Sequence, residues 1–143
     1  MVEMAGSHKW HLAFFGLAHA IILPLLFHTI YQIPYSSIGI YFDYASRVLD
    51  GSLPYRDFTL EYPPFALFFF ILPRLFTSSF WGYTIAFQME AFLFDLLGLY
   101  LIYRIAQCQG KALWKMLTVY TVAILAIGPI IAQSYDIFPA IIV

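Results

Sequence analysis

The chain has 143 residues, of which 62% are apolar and 10% are charged, and its formal net charge is −1. Its mean hydropathy of +0.81 argues against a soluble domain, which could not bury so much apolar surface in so small a volume. The seven basic residues are scattered, so there is no basic patch for nucleic acid. A single cysteine excludes an internal disulfide. Composition therefore predicts an integral membrane protein.

The first long apolar run covers residues 10–33. As a helix, its 24 residues would measure about 36 Å, which is enough to cross a hydrocarbon core of about 30 Å. The run is too long for a cleavable signal peptide, whose apolar core has roughly 7–15 residues. We therefore predict an uncleaved membrane span, which Pro24 is expected to kink.

A polar window follows at residues 34–62 and holds six of the fifteen charged residues. Within it, residues 38–50 have the pattern of a short amphipathic helix. Asp43, Arg47 and Asp50 fall within about 60° of each other around its axis. The opposite side carries Tyr41, Ala45 and Val48, and Gly51 follows as a stop signal. The window is predicted to be an external loop whose helix lies on the membrane interface, apolar side down.

A short helix is predicted within residues 63–76. Pro63 and Pro64 open the apolar stretch 65–72, and Pro73 closes it. Proline is accepted in the first helical turn and disfavoured later. About ten residues give about 15 Å of helix, or half a bilayer, which predicts a re-entrant or interfacial helix rather than a span.

Two further spans are predicted at residues 81–103 and 116–133, joined by a turn at 104–115. This turn carries three basic residues and no acidic one. By the positive-inside rule, the turn and the N-terminus lie in the cytoplasm, and the polar window lies outside. This orientation requires that the short helix does not cross the membrane. The predicted localisation is therefore integral to a membrane, with the N-terminus in the cytoplasm and the polar window facing the outside or a lumen.

Residues 134–143 begin with an external polar segment that includes Asp136, and they then become apolar again. We read them as the start of a further helix, and the chain as the N-terminal part of a larger multi-span protein. The predicted fold is a single all-α membrane domain. It has three transmembrane helices, an external interfacial helix and a short Pro-Pro helix.

Two acidic residues, Glu90 and Asp95, interrupt the second predicted span. Acids inside a membrane are costly and usually paired or functional. Because they are five positions apart in sequence, they lie about 140° apart around the helix and do not form one site. We expect each to bond helices in the remainder of the bundle, beyond this chain. His19 and His28 lie on opposite faces of the first span and form no metal chelate.

Carboxylates gather on the predicted external side. They are Asp43, Asp50, Asp57, Glu61 and Asp136. Carboxylates near an apolar interface can act as general bases or hold a divalent cation. The alternative is a solvated polar face with an ion pair between Asp43 and Arg47. The aromatic residues of the same window suit either a membrane-interface belt or stacking on a sugar ring.

The residues from Asp43 to Phe58 read DYASRVLDGSLPYRDF, and Glu-Tyr-Pro-Pro follows at positions 61–64. This pattern resembles the first external loop of GT-C-fold membrane glycosyltransferases. The likeness is greatest to bacterial polyprenol-phosphate-mannose-dependent mannosyltransferases. Residues 135–139, Tyr-Asp-Ile-Phe-Pro, resemble the second external acidic motif of these enzymes.

The resemblance implies transfer of a sugar, such as the hexose mannose, from a polyprenyl-phosphate donor to an external acceptor with inversion. Asp43 matches the catalytic acidic position, which deprotonates the acceptor hydroxyl. Asp136 matches the second acidic position, and with Asp43 it would hold a divalent cation, Mg²⁺ or Mn²⁺. The chemistry of phosphate suggests Arg47 and Arg56 as its partners. The remaining motif residues assigned to substrate binding are Asp57, Glu61 and Tyr62.

Later spans contribute to the donor pocket in the family, so we expect this segment alone to be inactive. Two other functions fit the residues. One is a non-enzymatic small membrane subunit that uses Glu90 and Asp95 for partner contacts. The other is a transporter fragment with Asp95 on a proton path.

Overall fold

The computed structural model describes the backbone of residues 3–29, 37–110 and 112–142, and the side chains of residues 10–25, 37–110, 112–128 and 130–142. These residues form six α-helices. In chain order they are α1 (Glu3–Thr29), α2 (Ser37–Leu49), α3 (Ala66–Phe76), α4 (Phe80–Cys108), α5 (Leu113–Ile131) and α6 (Ile137–Ile142). The prediction of an all-α chain is confirmed.

One helix of the described chain, α4, is long and apolar enough to cross a membrane. Its 29 residues measure about 43 Å. Among the residues whose side chains are described, the apolar parts of the other two predicted spans cover Trp10–Leu25 in α1 and Leu113–Gly128 in α5, and the positions that follow them, 26 and 129, lie outside that description. A span needs about 20 apolar residues. The described residues therefore contain one candidate span where the sequence predicted three, and the end of the first predicted span, at 30–33, lies outside them.

Helix α3 lies within the predicted range 63–76, but it runs through the buried Pro73 to Phe76, although proline is disfavoured at that position. One predicted boundary is wrong. Helix α4 does not end at residue 103 but at Cys108. The predicted turn 104–115 is therefore reduced to four residues, and Gly110 within it has a φ of 61°. Arginine, alanine and glutamine are good helix formers, which explains why the helix extends. Helix α1 also runs through Pro24 without ending there.

The amphipathic helix predicted in the polar window is present as α2. Its apolar side, which includes Ile38, Tyr41 and Ala45, is buried, and its polar side exposes Asp43 and Arg47. The apolar side lies against α3 and α4. The Tyr41 ring stacks on Phe70 of α3, with ring centroids 4.3 Å apart. Protein therefore covers the face that the sequence had assigned to lipid.

Two apolar clusters form the core. The first joins α2, α3, α6 and the N-terminal half of α4, and aromatic rings dominate it. Phe69 of α3 stacks on Phe138 of α6 with centroids 4.4 Å apart. The second cluster joins α1, α5 and the C-terminal half of α4 around Leu99 and Leu117. The first cluster holds the start of α6 beside the loop that follows α2, which brings the two acidic motifs together.

Candidate functional site

Tyr41, Tyr62 and Tyr135 form a contact, here called the tyrosine junction, that links the two sequence motifs. The hydroxyl of Tyr41 accepts a hydrogen bond from the backbone N–H of Tyr135 at 3.2 Å and lies 3.3 Å from the Tyr62 hydroxyl. The rings of Tyr62 and Tyr135 meet edge to face, with centroids 5.9 Å apart. Burial is the main cause that raises the pKa of the Tyr41 hydroxyl well above its usual value, and the hydrogen bond with Tyr62 raises it further. The hydroxyl therefore stays neutral and fixes residues that are 94 positions apart.

Asp43 lies on the exposed side of α2 in an ion pair with Arg47. The Arg47 Nε donates to the Asp43 Oδ2 at 2.8 Å, and the two side chains are 50% and 53% exposed. The guanidinium also lies over the Phe58 ring, 5.7 Å from its centroid. The ion pair of the alternative interpretation is therefore present. Exposed pairs contribute about 1 kcal/mol or less, so the pairing leaves the Asp43 carboxylate accessible to a substrate.

Arg56 and Asp57 form a second exposed pair, in the turn after α2. Two guanidinium nitrogens of Arg56 donate to the two carboxylate oxygens of Asp57, each at 2.8 Å. The backbone N–H of Leu53 also donates to Asp57, at 2.8 Å. The hydrogen bond from Arg56 is the main cause that holds the pKa of the Asp57 carboxyl below its usual value, and the hydrogen bond from Leu53 adds to it. Both of the arginines assigned to phosphate thus already have a carboxylate partner.

The remaining predicted site residues differ in their surroundings. Tyr62 is half-buried in the tyrosine junction, whereas Glu61 and Asp50 are exposed. Asp136 is exposed at the start of α6 and accepts a short hydrogen bond of 2.5 Å from the Ser134 hydroxyl. Asp136 and Ser134 also line a mainly apolar cavity of about 780 Å³ between α4, α5 and α6.

The described residues contain no group of three or more histidine, cysteine, aspartate or glutamate side chains that could hold a metal ion. Asp43 is already engaged by Arg47, and Asp136 by Ser134. Mg²⁺ keeps several of its water ligands and is usually bound by one or two protein carboxylates together with substrate phosphates. Asp43 and Asp136 would have to exchange their present partners to take this role, so a metal held by these two residues stays a prediction.

Arg74, which the sequence reading did not assign to substrate, makes no ion pair within the described part of the chain. Its Nε donates to the Ser46 hydroxyl at 3.1 Å and another nitrogen to the carbonyl of Thr77 at 2.7 Å. The guanidinium lies 5.2 Å from the centre of the Phe42 ring. Its positive charge thus has only neutral partners there. Arg74 differs in this respect from Arg47 and Arg56, which form ion pairs with nearby acids. The sequence already indicates the difference, because no acidic residue lies within four positions of Arg74.

A buried polar network connects three helices at the level of the predicted second span. His19 of α1 meets Asp95 of α4, with 2.5 Å between Nδ1 and Oδ2. The other ring nitrogen of His19 lies 2.9 Å from the Thr121 hydroxyl on α5, and Tyr120 donates to Asp95 at 2.9 Å. Both His19 and Asp95 are fully buried. The expectation that Asp95 bonds helices beyond this chain is therefore wrong.

The sequence did contain a signal for this network. His19 and Asp95 are polar residues near the middles of two predicted spans, at 10–33 and 81–103. When two spans pack side by side, residues at the same depth in the membrane can meet. Glu90 behaves differently. It is 8% exposed, and neither of its carboxyl oxygens has a hydrogen-bond partner among the described residues.

The chain matches no family model, no curated protein and no solved structure. Within the described chain, Tyr41, Tyr62 and Tyr135 join the segment that bears Asp43 to the segment that bears Asp136.

Proposed function

We propose that this chain is the N-terminal part of a membrane glycosyltransferase that moves a hexose from a polyprenyl-phosphate donor to an acceptor outside the membrane. The observation that carries the proposal is the contact between Tyr41 and Tyr135, 3.2 Å long. Tyr135 belongs to the second motif that resembles GT-C-fold enzymes. Tyr41 precedes the first motif by two residues and lies 3.3 Å from Tyr62, which is part of that motif. The contact therefore holds the chain segments of the two motifs next to each other, as a shared site would require.

A membrane location supports this proposal. Helix α4 can cross a bilayer by length and composition, and it exposes an apolar residue about once per turn, at Trp81, Ile85, Met89, Leu93 and Leu97. Such a stripe is costly in water and suits lipid. We propose that α1 and α5, which pack against each other and against α4, accompany it as two further spans. The N-terminus and the Gly110 turn would then lie in the cytoplasm of a bacterium.

In the proposed reaction, Asp43 is the general base. Its carboxylate takes the proton of the acceptor hydroxyl while the acceptor oxygen forms a bond to the anomeric carbon of the donor sugar. The bond from that carbon to the phosphate oxygen breaks, and polyprenyl phosphate leaves with the electron pair. Attack opposite the leaving group inverts the anomeric configuration. The half-exposed Asp43 on a helix held by protein can reach an acceptor from water.

The leaving phosphate needs positive charge close by. Arg47 and Arg56 are already neutralised by neighbouring carboxylates, so binding a phosphate would require them to exchange partners. Arg74 has only neutral partners among the described residues and bonds to Ser46, which follows Asp43 by three positions on α2. We therefore propose Arg74 as a phosphate contact in addition to Arg47.

The two alternative functions have less support. In a proton path, Asp95 would need access to water, but it is fully buried and both of its oxygens have partners in α1 and α5. A non-enzymatic subunit would have no use for an accessible carboxylate beside the joined motifs. Glu90, which is buried without a partner, is the feature that this second alternative would explain best.

The test is sugar transfer in membranes that contain the full-length protein, with a radiolabelled polyprenyl-phosphate hexose as donor. Asp43→Asn keeps the side-chain shape and removes the proton acceptor, and loss of a general base lowers rates by about 10²–10⁴. Asp50→Asn is the matched control, because Asp50 is an exposed acid just beyond the same helix. Full activity of Asp43→Asn, or an equal loss in both variants at equal expression, would contradict the assignment.

A further inference from the structure

The turn between α2 and α3 forms an open polar cavity at the protein surface. Residues 55–59 line it, and its volume of about 350 Å³ lies at the low end of the range of about 300–1,000 Å³ that small-molecule sites occupy. The turn is closed by the N–H of Tyr55 donating to the carbonyl of Phe58 at 2.9 Å. A second hydrogen bond, from the backbone N–H of Leu53 to the Asp57 carboxylate, also closes the turn. The lining of this cavity is therefore held in place before any ligand arrives.

Tyr55 is the residue of this turn whose conformation needs an explanation. Its φ of 64° makes it the one non-glycine residue with a positive φ in the described chain. Glycine or asparagine would adopt this conformation more easily. Strained residues of this kind persist where the surrounding structure holds them, and they cluster at ligand sites. A tyrosine at this position therefore indicates a function for its ring.

The Tyr55 ring is fixed but uncovered. Its hydroxyl donates to the carbonyl of Tyr62 at 2.9 Å, while the side chain stays 59% exposed. Among the described residues, no aromatic ring stacks on it. Packing in the chain therefore does not account for the ring, which presents a rigid flat apolar surface beside the cavity.

The charges beside this ring cancel. Arg56 and Asp57 share two hydrogen bonds of 2.8 Å, and their side chains are 67% and 36% exposed. A phosphate would have to compete with the Asp57 carboxylate for the guanidinium. A neutral molecule with several hydroxyl groups can bond to the outward atoms of both groups without separating them.

We infer that this turn is a binding subsite for a neutral hexose, whose ring lies on Tyr55 and whose hydroxyls bond to Arg56 and Asp57. A pyranose has an apolar C–H face and polar edges, which matches one flat ring beside one fixed polar pair. The inference rests on the proposed function for its choice of a sugar. It changes the role assigned to Arg56, which here contacts the sugar rather than the phosphate.

The experiment measures binding of methyl hexopyranosides, including the mannoside, to the full-length protein. Purified protein in a zwitterionic detergent without a sugar headgroup is studied by saturation-transfer NMR, and dissociation constants are obtained by titration. We expect Tyr55→Ala to weaken binding at least tenfold and Tyr55→Trp to retain it. Tyr100→Ala is the matched control, since Tyr100 is a 41% exposed tyrosine on another part of the chain, and it should bind as the unmodified protein does.

Tyr55→Gly separates a loss of the ring from a loss of the turn. Glycine accepts the positive φ, so this variant should keep its thermal midpoint within about 2 °C of the unmodified protein or above it and still lose binding tenfold. Unchanged affinity in Tyr55→Ala and Tyr55→Gly would overturn the inference. Absence of hexoside binding, or displacement of the hexoside by millimolar inorganic phosphate, would also overturn it.

The two proposals can fail separately. Hexoside binding that depends on Tyr55, together with full transfer activity in Asp43→Asn, would leave the subsite and remove the proposed base. Transfer that depends on Asp43, together with hexoside binding that ignores Tyr55, would remove the subsite and leave the transferase.

Discussion

At the scale of single residues, Asp57 shows how one carboxylate holds a turn. It accepts bonds from the Arg56 guanidinium and from the backbone N–H of Leu53, and these bonds lower its pKa. A group whose pKa is lower in the folded state stabilises that state above its unfolded pKa, about 4. That contribution is lost as the pH falls through the folded pKa.

We therefore expect the Leu53 amide to report a transition of this turn in acid. Its NMR chemical shift should stay constant from pH 7 to about pH 4 and change below that value, where Asp57 becomes protonated. Asp57→Asn should show the acid-side shift already at pH 7 and no transition. A Leu53 amide that titrates in the same way in both proteins would contradict this account of the turn.

The contact between His19 and Asp95 gives a second prediction at this scale. Replacing His19 by Leu removes the partner of the Asp95 Oδ2 in a fully buried place. Leaving a buried polar group without its partner costs about 1–3 kcal/mol. We expect the free energy of unfolding in mixed detergent micelles to fall by that amount, and the change in His19→Leu/Asp95→Leu to be smaller, because both partners are then apolar.

Glu90→Leu is the matched control for this pair. Glu90 is a buried acid on the same helix, but neither of its oxygens has a hydrogen-bond partner. Its replacement should leave the free energy of unfolding unchanged or raise it. If His19→Leu were as stable as the unmodified protein, or Glu90→Leu were the less stable of the two, the network would not hold α1 against α4.

At the scale of the elements, Gly98 sets how closely α4 approaches its neighbours. A Cβ atom at Gly98 would lie 2.5 Å from the Cδ1 of Ile141 and 2.6 Å from the Tyr120 hydroxyl. The isoleucine terminus can move at small cost, but the Tyr120 hydroxyl is held by its bonds to Asp95. The small residue is thus needed where α4, α5 and α6 meet, as at other close helix contacts in membranes.

Gly98→Ala should therefore destabilise the fold by about 1–3 kcal/mol, the usual cost of overpacking, although alanine favours the helix. Gly39→Ala in α2 is the control, because a Cβ there would meet nothing within 4 Å. Helix propensity alone should make that variant more stable by about 0.5–1 kcal/mol. The measurement is unfolding followed by circular dichroism, and equal changes in the two variants would contradict the argument.

At the scale of the whole molecule, the proposed topology places two ends of the helical bundle on opposite sides of a membrane. The exposed Cys108 lies at the end of α4, next to the Gly110 turn. Thr59, in the turn that contains Tyr55, is exposed at the other end. Cysteine labelling can therefore report both sides with one native and one introduced thiol.

In intact cells, a membrane-impermeant maleimide should not label Cys108 and should label Thr59→Cys in a Cys108→Ser background. After permeabilisation, both positions should react, which controls for accessibility of the thiols. Labelling of Cys108 from outside without labelling of position 59 would reverse the orientation. Labelling of both from outside would remove α4 as a crossing helix.

The sequence by itself determined the features that depend on neighbouring residues. The all-α class, the polar side of α2 and the ion pair between Asp43 and Arg47 follow from helix geometry, which brings residues four apart together. Glycine at position 51, with its φ of 92°, ends that helix as the sequence predicted. These interactions form in the same way whatever surrounds the helix.

The tertiary structure decided the features that join distant parts of the chain. Pro73 stays within α3 because its ring is buried, although local propensity predicts a stop. Asp95 finds His19, 76 positions away, and Tyr41 finds Tyr135, 94 positions away, because α1, α4 and α6 pack at particular depths and rotations. Periodicity gives the face of each helix but not its neighbour, and the neighbour depends on how all the side chains fill the core together.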